Sequence, residues 1–390
     1  MPRFPHAASS AQSLSDRVFG HLVRRSSSVE HVYPLHVGDT YLEPIEASRA
    51  EFQTTAGRPR LHNYSPVQGE PELLAAIVGK VARRSGVTLQ PGLVQVMAGA
   101  TAAMGVIINA LIEPGEEVII PSPFWPLIRG IVRGRGAKAV EVPLFTRLAD
   151  PTFDVVGAIE AAITERTAAI YINSPHNPTG MQLSAAVLSG IAQLAERHNL
   201  WVLCDEVYED VWFESAAPES IWARPDFAAR TVVTHSVSKA YGLAGARVGY
   251  THGPESAMET IRSVQTFYSY CAPRPMQFGA AGALSQGDEW LANMRETYGR
   301  AGRAAAEALK IPAPQGGTFL FFDLQPYLRR GETATELLER CVDAGVMLTP
   351  GNACGAAYGE WARLCFTSVP EPDLHEALKR LRSVFFGGRP

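Results

Sequence analysis

Short apolar runs rich in β-branched residues alternate along the middle of the chain with longer stretches of helical periodicity. In residues 185–198, for instance, Val187, Leu188, Ile191 and Leu194 fall on one stripe of a helix. Strands that alternate with helices indicate a mainly parallel sheet covered by helices on both faces. The predicted strands of this sheet are residues 94–97, 118–120, 139–142, 168–172, 201–204, 231–234 and 248–250.

The pattern changes after about residue 285, where Gly287 and Asp288 supply the chemistry of a turn. A long helix with a polar face is predicted next, followed by a strand, a helix, a second strand and a closing helix, which is typical of a separate α+β domain. These elements are residues 289–309, 318–324, 334–344, 362–367 and 371–385. We therefore predict an α/β fold whose parts are an N-terminal arm that joins the small domain (1–44), a large domain (45–285) and a small C-terminal domain (286–390).

Residues 93–112 carry no charge and are long enough to span a bilayer. Polar residues such as Gln95 and Asn109 interrupt them, and Gly99 marks a turn between a strand and a helix over residues 102–111. We therefore interpret the segment as a buried β-turn-α unit. The first thirty residues lack the continuous apolar core of a secretory signal, so export is not expected.

Composition narrows the functional classes. The chain has 390 residues, 46% of them hydrophobic, which is enough to bury the cores of two domains. Its formal net charge of −4 and the absence of long runs of like charge argue against nucleic-acid and anionic-membrane partners. The 5 cysteines show no CxxC spacing and the 10 histidines no HExxH motif, so neither a disulfide framework nor a metal site is expected. A reducing cytoplasm fits this pattern best.

The most informative segment follows the predicted strand at residues 231–234. Ser236 and Ser238 precede Lys239 there, and Arg247 lies eight positions further on. A lysine that is desolvated at the end of a strand has a lowered pKa and becomes a nucleophilic amine. The two hydroxyl groups and the guanidinium can together hold a phosphate dianion. The same residue types around a Gly-rich turn also occur in solvated loops, so this segment alone does not decide the function.

Two further strand ends carry polar side chains. Asn177 lies in a Ser-Pro-His-Asn-Pro-Thr-Gly turn after the strand at 168–172, and Asp205 ends the next buried strand, three residues before Tyr208. Asn177 is open to an ordinary turn role, and Asp205 to helix capping. Because the carboxyl ends of parallel strands meet at one edge of a sheet, these side chains are expected to lie near Lys239.

With these motifs in this order, the chain from about Gly38 to its C-terminus resembles the class I/II aminotransferases, fold type I enzymes that use pyridoxal 5'-phosphate (PLP). The resemblance implies that the large domain binds PLP, and that Lys239 forms an aldimine with it and then acts as acid and base at the substrate Cα. It also implies that Asp205 pairs with the pyridine nitrogen while Asn177 and Tyr208 bond the phenolic oxygen. The implied catalytic residues are Lys239, Asp205 and Tyr208.

The resemblance implies a phosphate site assembled from several parts of the chain. A Gly-rich turn at Gly99 opens a helix whose backbone amides face the phosphate, although such a turn is also ordinary helix capping. Trp125 aligns with the aromatic residue that stacks on the pyridine ring; the alternatives are a core tryptophan or stacking by Phe124. The implied cofactor-binding residues are Gly99, Ala100, Thr101, Trp125, Asn177, Asp205, Tyr208, Ser236, Ser238, Lys239, Arg247 and Tyr64.

The implied substrate site centres on Arg363, which matches the arginine that binds the substrate α-carboxylate with both arms of its guanidinium. An isolated arginine on a strand is usually a solvent-facing ion-pair partner, but apolar neighbours place this strand near the core. Gly38 and Asn177 complete the implied set. The hypothesis for the substrate side chain is a neutral or aromatic group. The candidate pocket residues for it are Tyr33, Tyr41, Tyr268 and Phe319.

Tyr64 matches the tyrosine that members of this family lend across a dimer interface to the partner's phosphate, which implies a homodimer; alone, it would be interpreted as a loop anchor. Arg274 and the aromatic residues Phe267, Tyr268 and Tyr270 lie where the partner of family members approaches the substrate. Arg274 is either a contact for an acidic substrate side chain or an ordinary surface arginine.

The resemblance thus implies a cytoplasmic aminotransferase of amino acid metabolism that moves an amino group between an L-amino acid and a 2-oxo acid by ping-pong half-reactions. A β-lyase, an ACC-synthase-like eliminase or an amino-acid oxidase of specialised metabolism shares these motifs and stays open. A regulator with an aminotransferase-like domain is disfavoured, because the 37 residues before Gly38 contain no basic recognition helix.

Overall fold

The structure, a computed structural model, describes residues 20–387 and contains a larger and a smaller sheet. The strands of the larger sheet are β1 (Val94–Met97), β2 (Glu117–Ser122), β3 (Lys138–Pro143), β4 (Thr167–Asn173), β5 (Trp201–Asp205), β6 (Thr231–Ser236) and β7 (Gly249–His252). The strands of the smaller sheet are β8 (Phe319–Asp323), β9 (Thr349–Pro350) and β10 (Trp361–Cys365). The larger sheet has the order β1-β7-β6-β5-β4-β2-β3, and β7 runs antiparallel to its neighbours while the rest are parallel. The smaller sheet is antiparallel, so the predicted α/β fold with a second, smaller α+β unit is confirmed.

The strands of the larger sheet form where short apolar runs are buried on both faces. Every residue of β1 and β2 is buried, as is all but one residue in each of β4 and β5. Continuous burial of this kind is typical of a parallel sheet that helices cover. The strands predicted for this sheet match β1 to β7 to within two residues at each end.

Helices connect the strands and end the chain. They are α1 (Gly20–Ser26), α2 (Glu46–Thr55), α3 (Pro71–Ser85), α4 (Ala100–Leu111), α5 (Pro126–Gly134), α6 (Val155–Glu160), α7 (Ala185–Arg197), α8 (Glu255–Ser269), α9 (Arg274–Gln286), α10 (Asp288–Leu309), α11 (Ala334–Asp343) and α12 (Glu371–Phe386). Ser184 caps α7 by accepting a hydrogen bond from the Val187 amide, and Thr333 with Glu336 forms a reciprocal capping box at α11. None of the helices in the described part of the chain is both long and apolar enough to cross a membrane.

The uncharged segment over residues 93–112 is the predicted β-turn-α unit, with β1 and α4 joined at Gly99. Gly99 is the N-cap of α4 and has a φ of 84°, so the helix begins two residues before its predicted start. Gly287 separates α9 from α10, where the turn was predicted. The domain boundaries stay predictions, and the first 19 residues of the predicted arm at 1–44 lie outside the described residues.

The register of the central strands brings their carboxyl ends level. Asn173 pairs with Asp205 across β4 and β5, and Asp205 pairs with Thr234 across β5 and β6. In the smaller sheet, Arg363 on β10 lies between β8 and β9, opposite Thr349 on the latter. The fold therefore presents polar residues of three neighbouring strands at one sheet edge.

Candidate active site

The carboxyl ends of β4, β5 and β6 open onto one cavity. Its lining residues come from the start of α4, the start of α5 and the loops after the three strands. They are Ala100, Thr101, Trp125, Leu127, Asn173, Asn177, Asp205, Val207, Tyr208, Ser236, Ser238, Lys239, Ala244 and Arg247. Every cofactor residue predicted from the sequence is among them except Gly99 and Tyr64. Chain segments separated by more than a hundred residues thus converge as the motifs indicated.

Asp205 ends β5 and is only 6% exposed. Its Oδ2 accepts a hydrogen bond from the Tyr171 hydroxyl at 2.7 Å, and its Oδ1 accepts one from the Val207 amide at 3.3 Å. Burial raises the pKa of this carboxyl from 3.8 to about 6, although both hydrogen bonds oppose the shift. A carboxylate in such a place favours a cationic partner in the cavity.

Asn177 and Tyr208 face each other beside Asp205, with Asn177 Nδ2 donating to the Tyr208 hydroxyl at 3.4 Å. Asn173, which the sequence analysis did not single out, ties these residues together. Its Oδ1 accepts from the Asn177 amide at 2.7 Å, and its Nδ2 donates to the Asp205 carbonyl at 2.8 Å. Burial raises the pKa of Tyr208, so its hydroxyl is protonated and available as a donor. An asparagine that ends a buried apolar strand was the available signal for Asn173.

Lys239 follows β6 and is half-buried, and its Nζ donates to the carbonyl oxygen of Gly38. Burial is the main cause that lowers the pKa of this amine, as the sequence predicted. A Cβ at Gly38 would lie 2.7 Å from the Phe319 ring, so this position admits only glycine without a shift of its neighbours. The close approach of the Gly38 backbone brings the N-terminal segment directly to Lys239.

Arg247 lines the cavity, and its guanidinium lies against Gly99. A Cβ at Gly99 would lie 2.5 Å from Arg247 Nη2, and the φ of 84° at Gly99 is one that side chains rarely allow. Arg247 Nη1 donates to the Ala244 carbonyl at 2.8 Å, but no carboxylate of the described residues lies within ion-pair distance of this guanidinium. Beside it, Ser236 Oγ donates to Ser238 Oγ at 2.9 Å. A guanidinium without a carboxylate partner, two hydroxyls and the first turn of α4 are groups that can together bind an anion.

Arg363 is 6% exposed, and its contacts are all with neutral groups. Nη1 donates to Asn177 Oδ1 at 3.1 Å, Nη2 donates to the His36 carbonyl at 3.1 Å and to Thr349 Oγ1 at 3.2 Å, and the guanidinium lies 4.2 Å from the centre of the Phe319 ring. Its buried Nε has no hydrogen-bond partner among residues 20–387. Because a buried cation without a counter-charge is costly, this arrangement favours the binding of an anion beside Arg363.

Trp125 and Phe124 are the alternative candidates for stacking on the pyridine ring, and they lie in different surroundings. Trp125 is half-buried at the start of α5 and lines the cavity. Phe124 is fully buried in the apolar core on one side of the larger sheet. Trp125 is therefore the one of the two that a ligand in the cavity can meet.

Tyr64 and Arg274 have predicted site roles and are not among the lining residues of this cavity in the single chain. Tyr64 is 79% exposed, and its ring centre lies 4.9 Å from that of Tyr270. Arg274 donates from Nε to Glu70 at 2.8 Å and from Nη1 to the Arg60 carbonyl at 2.6 Å. Its guanidinium is thus held by groups of its own chain.

The four candidate residues for the substrate side-chain pocket lie in different surroundings in the single chain. Tyr33 is buried in the core, with the guanidinium of Arg380 over its ring, and is not among the lining residues. Tyr268 is exposed and donates to Asn109 at 3.1 Å, and Tyr41 packs edge-on against Tyr298. Among the four candidates, Phe319 contacts a predicted site residue, because it lies under the Arg363 guanidinium.

A buried polar cluster lies next to the cavity. Glu206, Glu209 and His235 bring potential metal ligands within 4.8 Å of one another. His235 Nδ1 lies 2.7 Å from Glu209 Oε1, and the same oxygen pairs with the Lys80 ammonium group. Because Lys80 supplies the positive charge, the cluster is explained as an internal ion network.

Comparison with known proteins agrees with this geometry. The sequence matches the family described as Aminotransferase class I and II over residues 30–381. The chain belongs to this family. It is an aminotransferase, and enzymes of the family generally use PLP.

The relatives of this aminotransferase cover most of its length. An arginine–pyruvate transaminase of Pseudomonas aeruginosa is 32% identical over 82% of this chain and 81% of its own. A probable N-succinyldiaminopimelate aminotransferase of Mycobacterium tuberculosis is 34% identical over 82% of this chain and 84% of its own. The solved structure of N-succinyldiaminopimelate aminotransferase from M. tuberculosis superposes with a TM-score of 0.90 at 29% identity, covering 97% of this chain and 100% of that one.

Proposed function

We propose that this aminotransferase holds PLP in the cavity at the ends of β4, β5 and β6, and transfers an amino group between an L-amino acid and a 2-oxo acid. The observation that carries the proposal is the charge pattern of the cavity. Asp205 favours a cation, Arg247 favours an anion, and the Lys239 amine of lowered pKa lines the same cavity. One PLP molecule provides a partner for each of these groups: its pyridinium for Asp205, its phosphate for Arg247 and its aldehyde for Lys239.

Each end of the cofactor has its own set of residues in this proposal. Asp205 pairs with the pyridine nitrogen, and Asn177 with Tyr208 bonds the phenolic oxygen. Trp125 covers the face of the ring. The phosphate residues are Gly99, Ala100, Thr101, Ser236, Ser238 and Arg247.

Bound PLP supplies an aldehyde that takes up the substrate amine and a ring that accepts the electron pair released at the substrate Cα. Lys239 removes the proton from that Cα and later returns it, and the lowered pKa of its amine favours the neutral form that can accept a proton. Arg363 binds the α-carboxylate and, through its bond to Asn177, fixes the substrate relative to the cofactor site. The neutral surroundings of Arg363 make that carboxylate its natural counter-ion.

The proposal includes a homodimer in which Tyr64 of one protomer reaches the phosphate site of the other. Support comes from the exposure of Tyr64 together with the neighbouring aromatic residues Phe267, Tyr268 and Tyr270, since monomers rarely expose such a group of large rings.

The large domain is proposed to span residues 45–285. The arm at 1–44 and residues 286–390 then form the smaller one.

For the substrate we propose an L-amino acid with a neutral side chain. The relatives are named for different substrates, arginine and N-succinyldiaminopimelate among them, so their names do not fix it. Arg274, the candidate contact for an acidic side chain, is engaged by Glu70 and the Arg60 carbonyl. An acidic substrate would have to displace that ion pair.

The test is a half-reaction panel. Purified protein loaded with PLP is mixed with single L-amino acids and no 2-oxo acid. We expect one equivalent of pyridoxamine phosphate and one of oxo acid per site from neutral amino acids, and none from the matched variant Lys239→Ala. Continued release of ammonia would instead indicate elimination or oxidation, and a strong preference for aspartate or glutamate that collapses in Arg274→Ala would refute the neutral substrate.

A further inference from the structure

Tyr171 lies in the middle of β4 with its ring in an apolar core, and its side chain is 2% exposed. Tyr171 pairs with Leu203 on β5, and Asp205 lies two residues beyond Leu203, so both side chains are on the same face of the sheet. The Tyr171 hydroxyl donates to Asp205 Oδ2 at 2.7 Å. The other carboxylate oxygen receives a longer bond, from the Val207 amide at 3.3 Å.

We propose that Tyr171 is a positioning residue that keeps the Asp205 carboxylate ionised and aimed at the pyridine nitrogen. The inference rests on the proposed function, because it concerns the same cofactor site. A donor on Oδ2 stabilises the charged form of a buried carboxylate more than the protonated form. It also fixes the rotation of the carboxyl group about its Cβ–Cγ bond.

The surroundings of Asp205 make this donor important. Burial raises the pKa of Asp205 to about 6, while the bond from Tyr171 lowers it. His235 on β6 also lowers the pKa of Asp205, and Asp205 in turn raises the pKa of Cys204 and of Tyr208 on its own segment. Burial and Asp205 together raise the pKa of Tyr171 well above 10, so Tyr171 stays the donor.

A purely structural explanation would be that a buried tyrosine hydroxyl needs any acceptor. Tyr250 on β7 argues against this. It is also 2% exposed, and within the described part of the chain its hydroxyl has no hydrogen-bond partner. The sheet therefore tolerates an unpaired tyrosine hydroxyl close by, and the placement of Tyr171 against Asp205 is a separate feature. Tyr250→Phe is the matched control for Tyr171→Phe.

The first measurement uses the apoprotein. The carboxyl carbon of Asp205 is followed by ¹³C NMR against pH, and its signal is assigned by its loss in Asp205→Asn. Tyr171→Phe is expected to raise the pKa of Asp205 by about one unit. Tyr250→Phe is expected to leave it unchanged. An unchanged pKa in Tyr171→Phe would overturn the proposal.

The second measurement compares the dissociation constants of PLP and of 1-deaza-PLP, in which a CH group replaces the ring nitrogen. Tyr171→Phe is expected to weaken PLP about tenfold and the analogue much less, since the analogue offers Asp205 no partner. Tyr171→Leu also lacks the hydroxyl, so it is expected to weaken PLP more than the analogue as well. It replaces Tyr171→Phe in the test if that variant does not fold. Equal weakening of both ligands means a structural role only. If the wild-type protein binds neither ligand, the proposed function fails, and the NMR titration still decides whether Tyr171 sets the charge of Asp205.

Discussion

At the scale of single residues, two buried charged groups, Asp205 and Arg363, form no ion pair within residues 20–387. Asp205 accepts hydrogen bonds from neutral donors, and Arg363 donates to neutral acceptors. Arrangements of this kind lower the stability of the empty protein and favour charged ligands. Binding and stability are therefore opposed at these positions, which yields two predictions.

Asp205→Asn is expected to stabilise the apoprotein near neutral pH. The pKa of Asp205 is raised from 3.8 to about 6, so its contribution to stability is fully present below about pH 4 and is lost as the pH rises to about 6. The lost free energy of unfolding is about 3 kcal/mol. Chemical unfolding of wild type and variant should therefore agree at pH 4 and differ at pH 7.5, where the variant is more stable. Equal stabilities at pH 7.5 would contradict a raised pKa at Asp205. Glu206, whose pKa is raised to about 7, also titrates in this range, but it contributes equally to wild type and variant.

Arg363→Lys is expected to raise the KM for the amino acid donor about 10- to 100-fold, because a lysine cannot reproduce the bidentate contact. The affinity for PLP should change little. The matched control is Arg340→Lys on α11, where the arginine pairs with Glu332 away from the cavity. Steady-state kinetics and a PLP titration check both statements; an unchanged KM in Arg363→Lys would show that another group binds the carboxylate.

Individual site residues differ in how far the sequence could reveal them. Lys239, Asp205 and Asn177 stand at strand ends inside recognisable motifs, so their meeting in one cavity was predictable. Tyr171 was not singled out, because its role depends on which residue of β5 lies diagonally across from it. That register is set by the packing of the whole sheet.

At the scale of elements, the junction between β1 and α4 lies where we propose that the phosphate of PLP binds. The positive φ of Gly99 turns the chain sharply enough for the first amides of α4 to face the cavity, and the missing side chain leaves room for Arg247. Arg247 itself has a φ of 51°. The two strained positions hold the guanidinium against the helix N-terminus.

Gly99→Ala is expected to weaken PLP binding by at least about tenfold, because the new Cβ would lie 2.5 Å from Arg247 Nη2 and displace it. Gly86→Ala is the matched control. Gly86 also has a positive φ, of 73°, but nothing lies within 4 Å of its added Cβ. The control should lose about 1 kcal/mol of stability and no affinity for PLP. PLP affinity is measured by fluorescence titration. Equal affinities of the two variants would contradict the proposal that Gly99 leaves room for Arg247 at the phosphate site.

The elements themselves were predictable where burial is continuous, as in β4, or follows one face of a helix, as in α7, and not where packing against neighbouring elements decides. The apolar run of β4 sets that strand to within a residue at each end, since a parallel sheet buries both faces. Helices α3, α8 and α9 were not assigned from the sequence. The last, Arg274–Gln286, is rich in glycine and alanine, and its packing against α2 and α3 rather than its own periodicity determines it.

At the scale of the whole molecule, the single chain holds most of the proposed site but not Tyr64. The exposed rings around Tyr64 are on the surface of the protomer, whereas the lining residues of the cavity lie at the sheet edge. In a symmetric dimer the two copies of such a patch face each other or the partner's site. The dimer proposal therefore requires Tyr64 to act across the interface.

Hybrid dimers test that requirement. Tyr64→Phe alone should weaken PLP about tenfold, and Lys239→Ala alone should be inactive. Two differently tagged variants are co-expressed and the mixed dimer is purified through both tags. If Tyr64 acts in trans, one site of the hybrid is intact, and about half of wild-type activity returns at limiting PLP. No recovery, or a protein that stays monomeric, would refute the shared site.

The central claim is that the Lys239 amine is the group that PLP engages covalently. The most direct measurement reduces the PLP-loaded protein with borohydride, digests it and locates the pyridoxyl group by mass spectrometry. We expect the added mass on the peptide that contains Lys239 and on no other peptide, with none in Lys239→Ala. A pyridoxyl group on Lys80, Lys138, Lys310 or Lys379, or on no peptide at full PLP occupancy, would contradict it.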